Sequence, residues 1–295
     1  MAAQRPLRST PSDRTLRLGH GRRLSARLWP GRGDPLVLLH GLLDCGAGWD
    51  SLARSTHRPC VAFDLPGFGR SDLPSRPRIS AYAEDVLAGL AELGVNRYAL
   101  VGHSLGGAVA SAIAERAPEA VSSLTLLAPA GFGRIRLAEA VTVPGLRDLT
   151  GALLPLALAS SLALNVAYRT MVTNGHKPDS STLSRTKGRA FSSLPGARDA
   201  TRAVVAAGLS KRAFHRRRLG YDGPVTALWG EHDRLVPRSH ASGVRRALPQ
   251  ARIEIWPGMG HHPQHERPEP LRQFIERACS GAREPARRDL PLRAA

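Results

Sequence analysis

Tyr98-Ala-Leu-Val-Gly-His-Ser-Leu-Gly-Gly107 is the stretch on which the reading of this chain turns. The apolar run 98–101 reads as a strand, and the pattern from Ala108 to Ala117 reads as a helix. Between them stands a G-x-S-x-G pentad, Gly102-His103-Ser104-Leu105-Gly106. Such a short pattern recurs by chance; the strand before it and the helix after it give it meaning. Backbone at a strand–turn–helix junction of this kind is tight and strained, so the residues two before and two after the serine must be very small. Gly102 and Gly106 meet that need. The turn lifts the serine hydroxyl above the sheet edge, and the N–H groups opening the helix point at whatever the serine attacks. This is the pattern of a nucleophile elbow, with Ser104 as the candidate nucleophile.

A serine hydroxyl is a weak nucleophile near neutral pH. It needs a base, and the base needs an orienting carboxylate. Two segments downstream supply candidates. Residues 224–230 (PVTALWG) form a strand pattern that leads into Glu231-His232-Asp233-Arg234-Leu235-Val236-Pro237. Residues 251–256 (ARIEIW) alternate as a strand does and end in Pro257-Gly258-Met259-Gly260-His261-His262-Pro263. An acid just past one parallel strand and a histidine just past the next would both lie at the sheet edge that holds Ser104. The order Ser, Asp, His is the one expected for this architecture.

At these residues the chain resembles the α/β-hydrolase superfamily, in its serine-nucleophile, cap-bearing, esterase- or lipase-like form. Four motifs match in order: Leu39-His40-Gly41-Leu42, the loop from Asp64 to Asp72 (DLPGFGRSD), the elbow at Ser104, and the segments of Asp233 and His261. The match covers residues 35–132 and 222–278, and four collinear motifs are far more specific than one. The resemblance implies an α/β fold, a mostly parallel sheet with helices on both faces and an inserted helical cap. It also implies a triad of Ser104, Asp233 and His261. The oxyanion hole would come from the backbone N–H groups of Leu42 and Leu105.

Rival assignments are weaker. Asp233 could cap the following helix, a common role for Asp, but it sits in a G-x-x-D-x-x-V-P pattern similar to the superfamily's. Asp222 precedes its strand, at the wrong sheet edge, and Asp64 belongs to a loop motif that reads as structural. His261, His262 and His265 crowd together; the G-x-G-H-x-P pattern places the base at His261. A metal cluster is the remaining alternative, and Pro263 interrupts the helix that would hold ligands one turn apart. No metal or cofactor is required. Trp49 and Trp256 read as core aromatics.

The 295 residues, 42% of them hydrophobic, suit one catalytic core plus an insertion. Cys45, Cys60 and Cys279 are far apart and odd in number, so neither disulfides nor zinc are implied and a reducing cytoplasm fits. No targeting segment is evident in residues 1–14, which read as disordered. Residues 15–29 read as an antiparallel hairpin. Strands are expected at 36–40, 60–64, 97–102, 123–128, 224–229 and 251–256, with helices at 79–93, 104–117, 239–247 and 268–279. The core is thus 15–132 and 221–280, the cap 133–220, and 281–295 a frayed tail. The most apolar part of the cap, residues 149–168, is interrupted by Pro155, Ser160, Ser161 and Asn165, short of a transmembrane span. It reads as a cap helix packed on the core, with a lipid-facing or acyl-lining helix as the alternative.

The net charge of +18 is unevenly placed. Residues 1–32 carry +7 and residues 133–218 carry +11, whereas the core blocks 33–132 and 219–280 carry −3 and +1. Such a field suits anionic substrates, acidic partners or peripheral contact with a membrane surface. Yet only three of the 42 basic residues are Lys, and heavy Arg and Ala use dilutes the message. A solvated basic surface is the favoured reading. Nucleic acid is not an expected partner, because aromatics are only 5% and the core lacks basic stripes interleaved with them.

The reading is therefore a serine hydrolase that cleaves a small-molecule carboxylic ester with an apolar acyl group through an acyl-enzyme. Serine at the elbow argues against epoxide hydrolases and haloalkane dehalogenases, which use Asp there. Carbon–carbon bond hydrolases, thioesterases, haloperoxidase-like enzymes and acyltransferases share the serine and stay open. So does a non-catalytic ligand-binding protein, against which the intact triad argues.

Overall fold

Strands buried on both faces read as unbroken apolar runs, because neither face meets water. Leu36-Val-Leu-Leu39, Cys60-Val-Ala-Phe63 and Tyr98-Ala-Leu-Val101 are such runs, and all twelve residues are buried. In the computed structural model they lie at the centre of an eight-stranded sheet. The structure describes residues 10–140, 143, 145, 160, 162, 165, 166, 168–175, 194–209 and 213–280. The strands are β1 (Ser12–Arg17), β2 (Arg23–Trp29), β3 (Leu36–Leu39), β4 (Cys60–Asp64), β5 (Tyr98–His103), β6 (Val121–Leu127), β7 (Val225–Gly230) and β8 (Arg252–Trp256). Their order across the sheet is β1-β2-β4-β3-β5-β6-β7-β8. β2 runs antiparallel to both β1 and β4, and every pair from β4 to β8 is parallel.

Side chains alternate between two cores. Val37, Leu39, Val61, Phe63 and Leu100 face one, which α2 (Ile79–Glu92) and α3 (Leu105–Arg116) cover. Leu36, Leu38, Ala62, Ala99 and Val101 face the other. That face is closed by α1 (Asp50–Ser55) and the C-terminal helix Pro268–Ser280, whose Leu271, Phe274 and Ile275 form a buried stripe. Burial of each such side chain contributes about 1.5–3 kcal/mol. Trp49 lies fully within this second core, and the partly buried Trp256 packs against it, its ring meeting Phe274 edge-on at 5.8 Å.

The expected strands and long helices are found, most with ends shifted by one or two residues. The N-terminal strand begins earlier than expected. It starts at Ser12, inside the segment read as disordered, and only Leu16 of its six residues is buried. An edge strand with one buried side chain has almost no periodic signal. It is held by the ladder to β2 and by Arg27, whose guanidinium bonds Asp13 at 2.7 Å and Asp50 at 3.1 Å.

Between β6 and β7 lie α4 (Arg136–Ala140), a π-helical turn (Tyr168–Val172) and α5 (Leu194–Leu209). Gly196, Ala197, Ala200 and Ala203 are the buried side of α5, and these small residues let it approach closely. A Cβ on Gly196 would overlap the Gly67 carbonyl. Residues 1–9 and 281–295, and most of the apolar stretch 149–168, lie outside the described residues. Among the described residues no helix is long and apolar enough to cross a membrane.

The strand order fixes where a site can lie. From β3 the chain moves to β4 on one side, then crosses back to β5 on the other. The crevice beyond the carboxyl ends of β3 and β5 is thus a topological switch point, the usual place for ligands in an open α/β sheet.

Candidate active site

The turn after β5 rises into this crevice. Ser104 has φ 52° and ψ −114°, a left-handed conformation that costs a non-glycine residue energy and persists only where the surroundings enforce it. Its N–H donates to the Leu127 carbonyl at 2.9 Å, and its carbonyl accepts from Gly107, Ala108 and Ala130. A Cβ on Gly102 would overlap the Gly106 carbonyl, and one on Gly106 would overlap the Leu39 and His40 carbonyls. The two glycines are therefore required by close approach of backbone to backbone. Ser104 itself is half-buried, and its hydroxyl makes no hydrogen bond among the described residues.

The loop after β3 lies alongside. Gly106 N–H donates to the His40 carbonyl at 3.1 Å, which ties the loop to the start of α3. A Cβ on Gly41 would stand 3.3 Å from the Ser104 Cβ. Neither the Leu42 nor the Leu105 N–H is taken by an acceptor among the described residues. His40 braces the loop: its Nε2 accepts the Leu65 N–H at 2.8 Å, so its Nδ1 carries the proton and donates to the Gly41 carbonyl at 2.7 Å. Asp64 accepts Gly46 N–H and Arg70 N–H on its two oxygens, the structural part expected for the 64–72 loop.

Asp233 and His261, from the loops after β7 and β8, meet. His261 Nδ1 donates to Asp233 Oδ2 at 2.6 Å, and both side chains are buried. The other oxygen, Oδ1, accepts N–H bonds from Leu235 at 2.9 Å and Val236 at 2.8 Å. One carboxylate thus fixes both its own turn and the ring. The His261 main chain is held as well: its N–H donates to the Val172 carbonyl at 2.6 Å, and its carbonyl accepts from His103 Nε2 at 2.8 Å. The insertion grips this side again where Arg234 donates to the Thr170 carbonyl and Asn174 to the Gly258 carbonyl. Of the rival acids, Asp222 lies before β7, at the opposite sheet edge.

Ser104 and the Asp233–His261 pair thus follow the carboxyl ends of strands of one sheet and are linked through His103, with no hydrogen bond between the serine and the imidazole among the described residues. Such contacts commonly tighten only when substrate is bound. A family model described as alpha/beta hydrolase fold matches residues 34–268. The chain belongs to this family. It is similar to the dihydrolipoyllysine-residue acetyltransferase component of the acetoin cleaving system of Pseudomonas putida, 33% identical over 247 residues. That alignment covers 82% of this chain but 62% of the relative, so the chain spans less than two thirds of that protein. The sn-1-specific diacylglycerol lipase ABHD11 of Mus musculus is 30% identical over 248 residues, 79% of this chain and 77% of that one. Among solved structures, a bacterial membrane phospholipase A superposes with a TM-score of 0.74 at 27% identity, over 93% of this chain and 87% of that chain.

This hydrolase-fold chain also brings together residues that its sequence kept apart. Ring nitrogens of His103, His261 and His262 lie within 4.8 Å of one another. Pro263 bears only on the run 261–265, whereas the imidazoles assemble from that run and from the elbow. Protein hydrogen bonds engage Nδ1 of His261 and both nitrogens of His103, the latter through the His261 carbonyl and the Gln264 amide at 3.2 Å. Burial holds His103 and His262 well below the usual histidine range, which keeps both imidazoles neutral. The sequence reading missed His103 and Gln264. The one signal for His103 was its place beside Ser104.

Proposed function

We propose that this protein is a serine hydrolase that cleaves carboxylic esters through an acyl-enzyme, with Ser104 as nucleophile, His261 as base and Asp233 as its orienting acid. The observation that carries this reading is the buried 2.6 Å bond from His261 Nδ1 to Asp233 Oδ2. It leaves His261 Nε2 as the proton acceptor and stabilises the imidazolium that forms. Ser104 Oγ attacks the ester carbonyl as Nε2 takes its proton. The tetrahedral oxyanion is held by the Leu42 and Leu105 N–H groups, each worth about 3–4 kcal/mol of transition-state stabilisation. Collapse expels the alcohol, protonated by the imidazolium. Water, deprotonated by Nε2, then releases the acid and regenerates Ser104.

The diacylglycerol lipase and the phospholipase A among the similar proteins support an ester rather than another acyl compound. The acetyltransferase relative favours a second reading, in which an alcohol or thiol instead of water takes the acyl group from Ser104. Cap residues 133–220 would then choose both acyl donor and acceptor. Three buried free thiols, Cys45, Cys60 and Cys279, fit a reducing compartment and so a cytoplasmic enzyme.

A fluorophosphonate probe tests the nucleophile: it should label wild-type protein at Ser104 and leave Ser104→Ala unlabelled. A series of p-nitrophenyl esters of increasing acyl length then measures turnover and pocket depth together. Absence of both labelling and turnover across the series would favour a ligand-binding protein.

A further inference from the structure

His261 has four polar groups, and three of them are already engaged. Asp233 holds Nδ1, Val172 holds the N–H, and His103 holds the carbonyl. Among the described residues nothing engages Nε2, which is left for chemistry. The partner on the carbonyl is the residue bonded covalently to the proposed nucleophile. His103 stands one peptide before Ser104 and is fully buried. Its Nε2 lies 2.8 Å from the His261 carbonyl oxygen, and its ring centroid is 4.7 Å from that of His261. A carbonyl can only accept, so His103 carries its proton on Nε2. The Gln264 side-chain amide lies 3.2 Å from His103 Nδ1, where its N–H can donate. Gln264 thereby selects the tautomer that His103 needs, because the same nitrogen cannot both accept from Gln264 and carry a proton.

We infer that Gln264 and His103 form a positioning relay, in which the elbow's own histidine sets the height and tilt of the His261 backbone relative to Ser104. The elbow is rigid, since its main chain is bonded to Leu127, Ala130 and the first turn of α3. The loop after β8 is an excursion of Gly, Met and His without regular structure up to Pro263. A hydrogen bond between the two transfers the rigidity of the first to the second. The relay touches neither substrate nor reacting atoms, so it acts on catalysis only through the placement of Nε2. It rests on the assignment of His261 as base.

The test uses substitutions that separate donor from shape. Gln at position 103 can place its amide N–H where imidazole Nε2–H stands, Asn reaches only as far as Nδ1, and Phe keeps the ring without any donor. Steady-state kinetics with p-nitrophenyl butyrate should show His103→Phe and His103→Asn losing about 100-fold in kcat with KM kept, as a displacement near 1 Å does. His103→Gln should recover most of kcat. Gln264→Met, which removes the tautomer selection but keeps the shape, should lose about tenfold in kcat by the same misplacement. If His103→Phe does not fold, Gln264→Met with His103→Gln decides the matter alone. Full kcat in His103→Phe or in Gln264→Met overturns the relay, as does failure of His103→Gln to exceed His103→Asn. An active His261→Ala would instead overturn the assignment of the base, so the two failures are distinguishable.

Discussion

The carboxylate of Asp233 is divided between two tasks: Oδ2 receives the His261 Nδ1–H at 2.6 Å, while Oδ1 caps its own turn through the Leu235 and Val236 N–H groups. Asp233→Asn can preserve the second task and must spoil the first, since an amide N–H facing Nδ1 favours the wrong tautomer. We expect kcat to fall about 10⁴-fold on p-nitrophenyl esters while thermal stability stays close to wild type. A variant that kept more than about a tenth of the rate would reduce Asp233 to a helix cap.

The neighbouring histidines should differ sharply. His261→Ala and Ser104→Ala are each expected to abolish turnover, with the double variant little worse than either, because triad members act as a unit. His262 stacks on His265 at 5.2 Å and meets the His103 ring edge at 4.6 Å. His262→Ala should therefore retain chemistry but lose stability, by about 1–3 kcal/mol. Rates and denaturant midpoints of the two variants, measured side by side, check the assignment.

Acid should destabilise the fold through the same cluster. Burial holds His103 and His262 far below the usual range, and His240 is lowered for the same reason. Unfolded, each returns to a value near 6.5. Above that pH both states are neutral and stability is complete. As pH falls below about 6.5 the unfolded chain gains protons at His103 and His262 while the folded chain does not, and stability drops by about 1.4 kcal/mol per pH unit for each of these two imidazoles. Urea melts from about pH 7.5 down to about pH 5 should show this decline, with a shallower slope in His262→Asn. A flat profile in wild type would contradict it.

One arginine of the insertion is neutralised by an acid of the core, and others pair with acids of the insertion itself. Arg217 forms a two-pronged ion pair with Glu115 of α3 and holds that carboxyl below its usual range, and Arg134 and Arg202 pair with Glu139 and Asp199. Neutral and anionic esters should accordingly share a shallow dependence of kcat/KM on ionic strength. A steep fall for anionic esters alone, as screening shortens to about 8 Å at physiological salt, would show steering instead. Charge reversal at the exposed Arg216 and Arg218 would then slow anionic esters selectively.

The positions of Ser104, Asp233 and His261 just beyond the carboxyl ends of β5, β7 and β8 were legible in the sequence, because each lies in a short loop of small or turn-forming residues after a strand, so the local pattern carries the placement. Leu42 and Leu105 enter the proposal only through motif position, since an N–H group leaves no mark in a side-chain alphabet. His103 and Gln264 were not legible as a pair. Their bond joins residues 161 positions apart, and nothing local announces it. The Val172 contact was invisible for a stricter reason: its acceptor is a main-chain carbonyl, which every residue possesses. β1 was legible only from Thr15 onward, because Ser12, Asp13 and Arg14 are exposed and without an apolar alternation.

That carbonyl of Val172 has a consequence for engineering. Segments between β6 and β7 are natural units to exchange between members of this fold when a new specificity is wanted. Here the exchanged piece would carry away one of the three restraints on His261. A chimera that fits sterically but lacks an acceptor opposite the His261 N–H would have a correctly shaped pocket over a loosened base. Recombination at this junction should therefore be judged first on turnover number, and only then on the range of substrates admitted.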